Sequence, residues 1–387
     1  MANSGIIIPK TTDVNVTIDI DHPQPSVGLS NPNLFVKGEA EGYKEYTNLD
    51  ALMADQPMGS PAYNAAYVIF EQKNAPELVA VTTYVKDNTG KMSAVAPTPA
   101  DLKTTPTSDG ATVTESEPTS TASEGIDFAS LTGVAKAAAD YFYNSWEFAL
   151  MPEYDAADAL DLATLIEKGG YDGKGFHLFF PQVTDYTVES PFKAFHRTWA
   201  FYSSNSDEYA AALVGQGGSY TVGSISWKFV SDLVDVTPEE LPITELNKIA
   251  DNGYIAYVTK GANSNQTTDR NPALDYIDTI HGMDWIKSTT QTQLQNLLNT
   301  AGKLTFDKDG IAKIQQVLRN ILNQGVAQKI VDTNDSGTGI FDVTVKQRTE
   351  LKTQDIVDRI YNGAFFDYQP SNAINHINVG ITQNSLV

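Results

Sequence analysis

The chain has 387 residues, a net charge of −22 and no cysteine, with 41% apolar and 19% charged side chains. Such a composition describes a folded globular protein long enough for more than one core, not a disordered one. The missing cysteines exclude disulfides, thiolate catalysis and cysteine-held metals, and the acidic balance argues against binding of a nucleic-acid backbone.

The opening MANSGIIIPKTTD carries three isoleucines before Pro9, short of a secretory core, so synthesis in the cytoplasm is expected. No apolar run approaches a membrane span. In DVNVTIDIDHP, Val14, Val16, Ile18 and Ile20 alternate with polar residues, the period of a strand, before Pro23 stops it. Residues 1–23 read either as a first strand paired within the subunit or as an extended N-terminal arm, which could reach roughly 65–75 Å. Residues 24–95 read as strand, helix, helix, strand. The caps are Thr47 or Asn48 for the first helix and Ser60, followed by Pro61, for the second.

Residues 96–125 hold Thr, Ser, Pro and acids with almost no bulky apolar side chain. They are expected to form a linker or surface loop, with a turn at Asp109-Gly110. Residues 126–265 read as a second α/β domain. An Ala-rich and aromatic helix is expected over 128–150, a second helix over 155–168, and a buried strand at GFHLFFPQV. A strand follows at Trp199 and Phe201, then a helix at EYAAALVGQ, a helix start at Pro238-Glu239-Glu240 and a strand at YIAYVTK. Alternating helices and strands of this kind predict an α/β layer structure.

Residues 266–370 are the most regular part. Tyr276, Ile277, Ile280, Trp285 and Ile286 have helical spacing, as do Ile311, Ile314, Leu318, Ile321 and Leu322. A strand at GTGIFDVTVK and a short helix after Thr353 follow. In 371–387, Ile377, Val379 and Ile381 alternate like a strand, with Ile374 just before them. Residues 303–359 carry nine Lys or Arg against eight Asp or Glu, a balance of +1, so the remainder carries −23. One reading is an ordinary acidic surface. The other is a near-neutral C-terminal layer that faces another protein.

Chemistry-bearing patterns are sparse. There is no phosphate-loop, zinc-protease or nucleophile-elbow motif, and Gly215-Gln216-Gly217-Gly218-Ser219 lacks the strand and lysine of a phosphate loop. Asp307 and Asp309 fit a helix cap better than a calcium loop, because position 318 is Leu318 where a glutamate is required. The five histidines share no ligand spacing. His177 reads as a core histidine, and His196 with Arg197 has no identifiable nucleophile beside it. No catalytic, cofactor-binding or metal-binding residue is assigned. A hydrolase built on His196 and an acidic partner stays as an alternative.

The stretch GLSNPNLFVKGEAEGYKEYTNLDALMADQPMGSPAYNAAYVIFEQKNAPELVAV resembles the opening domain of contractile tail sheath proteins of bacteriophages and related particles. LDYIDTIHGMDWIKSTTQTQLQNLL resembles the sheath helix ahead of the C-terminal domain. LTFDKDGIAKIQQVLRNIL and RTELKTQDIVDRIYNGAFFDYQPSNAINHINVGIT are similar to the sheath ending. The likeness covers 28–95 and 270–382, with 96–260 unmatched, and rests on the order of these segments, not on one motif. It implies a multi-domain α/β (α+β) sheath architecture whose N- and C-terminal arms add strands to neighbouring subunits. The subunits would stack as hexameric rings around an inner tail tube and shorten to drive it through a target envelope. Expected partners are further copies of the chain, the tube protein, and baseplate and tail terminator proteins, in a virion tail, with no cofactor, nucleic acid or membrane insertion. The arm contacts would be Val14, Val16, Ile18, Ile20, Ile374, Ile377, Val379 and Ile381, with Lys352 and Arg359 facing the tube. Another virion component, in baseplate or capsid, is the alternative.

Overall fold

The computed structural model describes residues 17–18, 20–21, 29–86, 130–169, 177–205 and 207–378. The expected linker at 96–125 with its Asp109-Gly110 turn lies outside them, as do Val14, Val16, Val379 and Ile381.

Two short strands, β1 (Thr17–Ile18) and β2 (Ile20–Asp21), pair with each other. The first body of the chain begins with β3 (Pro32–Lys37), β4 (Gly42–Tyr46), α1 (Leu49–Met53), α2 (Pro61–Glu71) and β5 (Val79–Tyr84). The expected caps are in place. Asn48 Oδ1 accepts the Ala51 N–H at 2.8 Å, and Ser60 Oγ accepts the Tyr63 N–H at 3.2 Å. Then come α3 (Gly133–Asp140), β6 (Phe148–Leu150), α4 (Ala156–Glu167), β7 (Leu178–Phe179), β8 (Gln182–Val183) and β9 (Ala200–Tyr202). The body closes with α5 (Tyr209–Gly217), a helical turn at Trp227–Phe229, α6 (Ile243–Asp251), β10 (Tyr254–Lys260) and β11 (Asn263–Gln266).

These strands make two sheets, ordered β4-β5-β3-β6-β7 and β11-β10-β9-β8. They are joined because β7 and β8 are two halves of one extended segment broken at Pro181, which has no N–H for a ladder. The Phe201 N–H still reaches the Pro181 carbonyl at 2.8 Å, and Phe179 bridges to Thr198. The inner strands run parallel, and β4 and β11 close the two edges antiparallel. Segments 24–95 and 126–265 thus contribute strands to one continuous surface.

A parallel sheet buries both faces, and the alternation within each strand shows it. Leu34, Val36, Phe148 and Phe201 pack with α2 and α5 on one side, while Phe35, Ala149, Ala200 and Tyr202 pack with α3 and α4 on the other. Two expectations are corrected. The helix expected over 128–150 ends at Asp140. Phe148–Leu150 is instead a central strand paired with β3, because a three-residue apolar run fits either period. The helix expected at Pro238-Glu239-Glu240 begins at Ile243, since Glu239 is bridged to Val258 at the edge of β10.

The remaining elements are α7 (Ile277–Thr300), α8 (Lys308–Ala327), β12 (Phe341–Val345), α9 (Thr353–Val357) and β13 (Ala364–Tyr368). The first half of α7 is buried against the sheet body, and the helix then leads into a third, smaller core of Ile286, Leu318, Ile321, Leu322, Ile330 and Val343. Asp307 Oδ1 accepts the Gly310 N–H at 2.8 Å, so it caps α8 as expected.

Candidate assembly surface

The C-terminal lobe carries a small sheet with open edges. Strands β12 and β13 pair antiparallel, Phe341 opposite Tyr368 and Val345 opposite Ala364, and form a sheet of two strands only. Alternation splits them: Val343, Phe366 and Tyr368 face α8, while Asp342, Thr344, Phe365 and Asp367 are exposed. Gln315 and Arg319 of α8 donate to the Val343 carbonyl, at 3.2 and 3.4 Å. A two-stranded sheet is marginal alone, and its unpaired edges are templates for further strands. β1 lies beside β13 without joining its sheet.

Between the two strands, Lys346, Arg348, Lys352 and Arg359 are all exposed, and none of the four is ion-paired among the described residues. Val357 and Ile360 are exposed at 67% and 51%, so the cations flank an apolar patch. Lys346 sits over the Phe365 ring at 5.5 Å. Arg359 ends α9 in a left-handed backbone conformation, φ 60°. Of the arm residues, Ile374 and Ile377 stand in an extended segment that joins no strand, 75% and 80% exposed. Ile18 and Ile20 are register partners in the β1–β2 pair.

The residues considered for chemistry are engaged in contacts within the fold. His177 is fully buried against Trp146, ring centroids 3.4 Å apart, with Nε2 2.7 Å from the Phe142 carbonyl. Burial pushes its pKa down to about 3, so it is a neutral core histidine. His196 does have an acidic partner, Asp275, at 2.6 Å, and that hydrogen bond raises its pKa. No hydroxyl is hydrogen-bonded to its ring among the described residues, so the pair joins the approach to β9 to the loop before α7. Its neighbour Arg197 turns inward to Asp284 of α7. Sequence reasoning missed Asp284 and the buried Glu147. Asp284 lies four residues after Ile280 and so on the buried face of α7.

A cavity of about 250 Å³ lies between β8 and the start of α5, lined by Leu150, Tyr154, Phe180, Gln182, Asp207 and Glu208 among others. Its polar groups are largely committed to the fold. Gln182 Oε1 accepts from Ala210, and Asp207 accepts from Ser203 Oγ and the Thr237 N–H. No group of three or more acidic or histidine side chains that could hold a metal occurs among the described residues. None of their helices is long and apolar enough to cross a membrane.

No protein-family model matches the chain, and no curated protein matches it. Solved structures do. A chain from the anti-feeding prophage baseplate superposes with a TM-score of 0.60 at 12% identity, covering 97% of this chain and 100% of that one. A chain from the anti-feeding prophage helical sheath in the contracted state gives 0.59 at 13%, again covering 97% and 100%. A sheath tail protein from Listeria innocua gives 0.52 at 10%, covering 87% of this chain and 94% of that one. The chain therefore has the α/β fold of these sheath structures over nearly its whole length.

Proposed function

We propose that this chain is a structural subunit of a contractile tail sheath, in a phage tail or a tail-like particle. Copies stack as hexameric rings around an inner tail tube, and the array shortens to drive the tube through a target envelope. Its partners are further copies of itself, the tube protein, and the baseplate and terminator proteins at the two ends. Its role is mechanical, not catalytic. The observation that carries this reading is the whole-chain likeness to a contracted sheath, with 97% and 100% of the two chains covered.

Local structure supports it. The two-stranded sheet has free edges, and the terminal segments of other copies have the alternation to fill them. Heterologous strand addition of this kind builds rings and helical tubes without needing a large apolar interface. The expected N-terminal contacts are Val14, Val16, Ile18 and Ile20, and the C-terminal ones Ile374, Ile377, Val379 and Ile381. The near-neutral lobe, with Lys352 and Arg359, faces the tube, and the strongly acidic body faces water.

Negative-stain microscopy of the purified chain tests the proposal: hollow tubes of sheath width are expected. Single closed rings that never stack would favour the second reading, a ring-forming baseplate component. One of the matched chains does come from a baseplate structure. Monomers under all assembly conditions would count against both.

A further inference from the structure

The C-terminal segment is extended and joins no strand, yet it is held. Val331 bridges to Pro370, and the Ser371 N–H donates to the Ile330 carbonyl at 2.9 Å. Four residues on, Asn375 is gripped from three directions. Its amide nitrogen donates to Asp269 Oδ1 at 3.0 Å, and its backbone carbonyl accepts from the Lys228 ammonium at 3.0 Å. Ser226 Oγ lies 3.2 Å from Asn375 Oδ1 and 3.1 Å from Asp269 Oδ2, and its single proton serves one of them. The Lys228 ammonium also meets His376 Nε2 at 3.2 Å.

This seat is built into the body. Lys228 is 5% exposed and Asp269 1%, and Asp269 Oδ2 also accepts the Lys228 backbone N–H at 3.2 Å. One buried carboxylate thus organises both walls. Among the described residues, the hydrogen-bond acceptors of the Lys228 ammonium are Asn375 and His376 alone. The tail therefore both covers this ammonium and supplies its acceptors, so the desolvated charge is hydrogen-bonded with the tail in place.

We propose that Ser226, Lys228 and Asp269 form a binding site for Asn375 and His376 of the same chain, a clip that fixes where the C-terminal segment leaves the subunit. The occupant is the chain's own tail: four residues span at most about 14 Å, and Ser371 is already tied down. With Asn375 turned inward, Ile374 and Ile377 are turned out. Resting on the sheath reading, the clip means that these two isoleucines are presented in place on their own subunit. Exchange with a neighbour then begins beyond Ile377.

The chain has no cysteine, so Asn378→Cys accepts a single nitroxide label on the full-length protein. Paramagnetic resonance of the unassembled chain should show a slow, ordered label. In Asn375→Ala and in Lys228→Met the ratio of ordered to mobile label should fall about tenfold, the loss of one or two net hydrogen bonds, with far-ultraviolet dichroism unchanged. Should Lys228→Met fail to fold, Asn375→Ala decides, because it alters the tail and not the body. A fast label in the parent, or an ordered one retained in Asn375→Ala, overturns the clip. Tube formation is scored separately. Tubes with a mobile label defeat the clip alone, and an ordered label without tubes defeats the sheath reading alone.

Discussion

The guanidinium of Arg197, just ahead of β9, holds the carboxylate of Asp284 on α7 through two hydrogen bonds of 2.8 and 2.9 Å. Arg197 is 9% exposed and Asp284 not at all. The pair spans the junction between the sheet body and the helix that leads to the C-terminal lobe. Glu147, at the start of β6, is fully buried beside it, and burial, reinforced by the Asp284 charge, raises its pKa well above the carboxylate range. Glu167 accepts the backbone N–H groups of His196 and Arg197, which orients the same segment. The joint is therefore held by directional bonds.

Breaking one side of that pair should be severe. Arg197→Met leaves Asp284 charged, buried and without its partner, and is expected to cost about 3–5 kcal/mol. The double change Arg197→Met with Asp284→Leu should recover much of the loss, because no uncompensated charge remains. Chemical denaturation midpoints of the three proteins measure this. A single variant within 1 kcal/mol of the parent, about the worth of a surface pair, would show that the junction does not depend on the ion pair.

Stability should fall as pH rises through neutrality. Glu208, at the start of α5, is pushed up to about 7 by burial and the neighbouring Asp207, and Asp278 to about 6 by burial and Asp269. An acid whose folded pKa is raised binds its proton more tightly when folded. Its contribution is therefore present below the unfolded value, near 4.3 for Glu, and is lost as pH climbs through the folded one. Moving Glu208 from 4.5 to about 7 corresponds to roughly 3 kcal/mol. Glu208→Gln is expected to flatten the decline between pH 5 and 8 by about 1–3 kcal/mol, read from urea midpoints at both pH values. An equal decline in variant and parent would remove Glu208 from the account.

How much of this was legible depended on how local the cause was. Strands β3, β5 and β7–β8 are buried on both faces, so their apolar runs stood out. Caps such as Ser60 and Asp307 act within three residues and were readable for the same reason. Phe148–Leu150 was not, since its strand identity comes from pairing with β3, more than a hundred residues earlier in the chain. The tail seat was least visible: Ser226 and Asn375 are 149 positions apart, and neither sits in a motif. Lys228 and Asp269 carry no local sign that they are buried, because long-range packing alone buries them.

Gly215, noticed first in a glycine-rich run, has a packing role. It lies in α5 where that helix crosses α2, and an added Cβ would stand 2.9 Å from both Ile69 Cα and the Ile69 carbonyl oxygen. Backbone cannot yield as a flexible side chain can. Gly215→Ala should therefore destabilise by about 1–3 kcal/mol, even though alanine favours a helix interior by about 1 kcal/mol. A stabilised variant would mean that the two helices can separate freely.

Removal of residues 1–20 should leave the subunit intact and abolish assembly. Among the described residues the first fully buried apolar side chain is Leu34, so thermal unfolding and dichroism should match the parent. Tubes should disappear from micrographs, because the segment with alternating Val14, Val16, Ile18 and Ile20 is gone. Tubes of normal width from the truncated chain would show that the N-terminal segment takes no part in linking subunits.

The cationic patch around α9 separates charge from backbone at one position. Arg359 is exposed and holds φ 60°, a conformation that costs a side-chain-bearing residue about 1–2 kcal/mol relative to glycine. Arg359→Gly should therefore raise stability by about 1 kcal/mol while deleting the charge, and Arg359→Glu should leave stability within about 0.5 kcal/mol of the parent. If the patch faces the inner tube, both variants should weaken co-sedimentation with tube protein, by about two- to fivefold for a rim charge, and Lys352→Glu should do the same. The losses should shrink as salt is raised, since exposed charges are screened within about 8 Å at physiological ionic strength. Undiminished tube binding by Arg359→Glu would turn the patch away from the tube. The four exposed cations would then serve only to offset the acidity of the lobe's own surface.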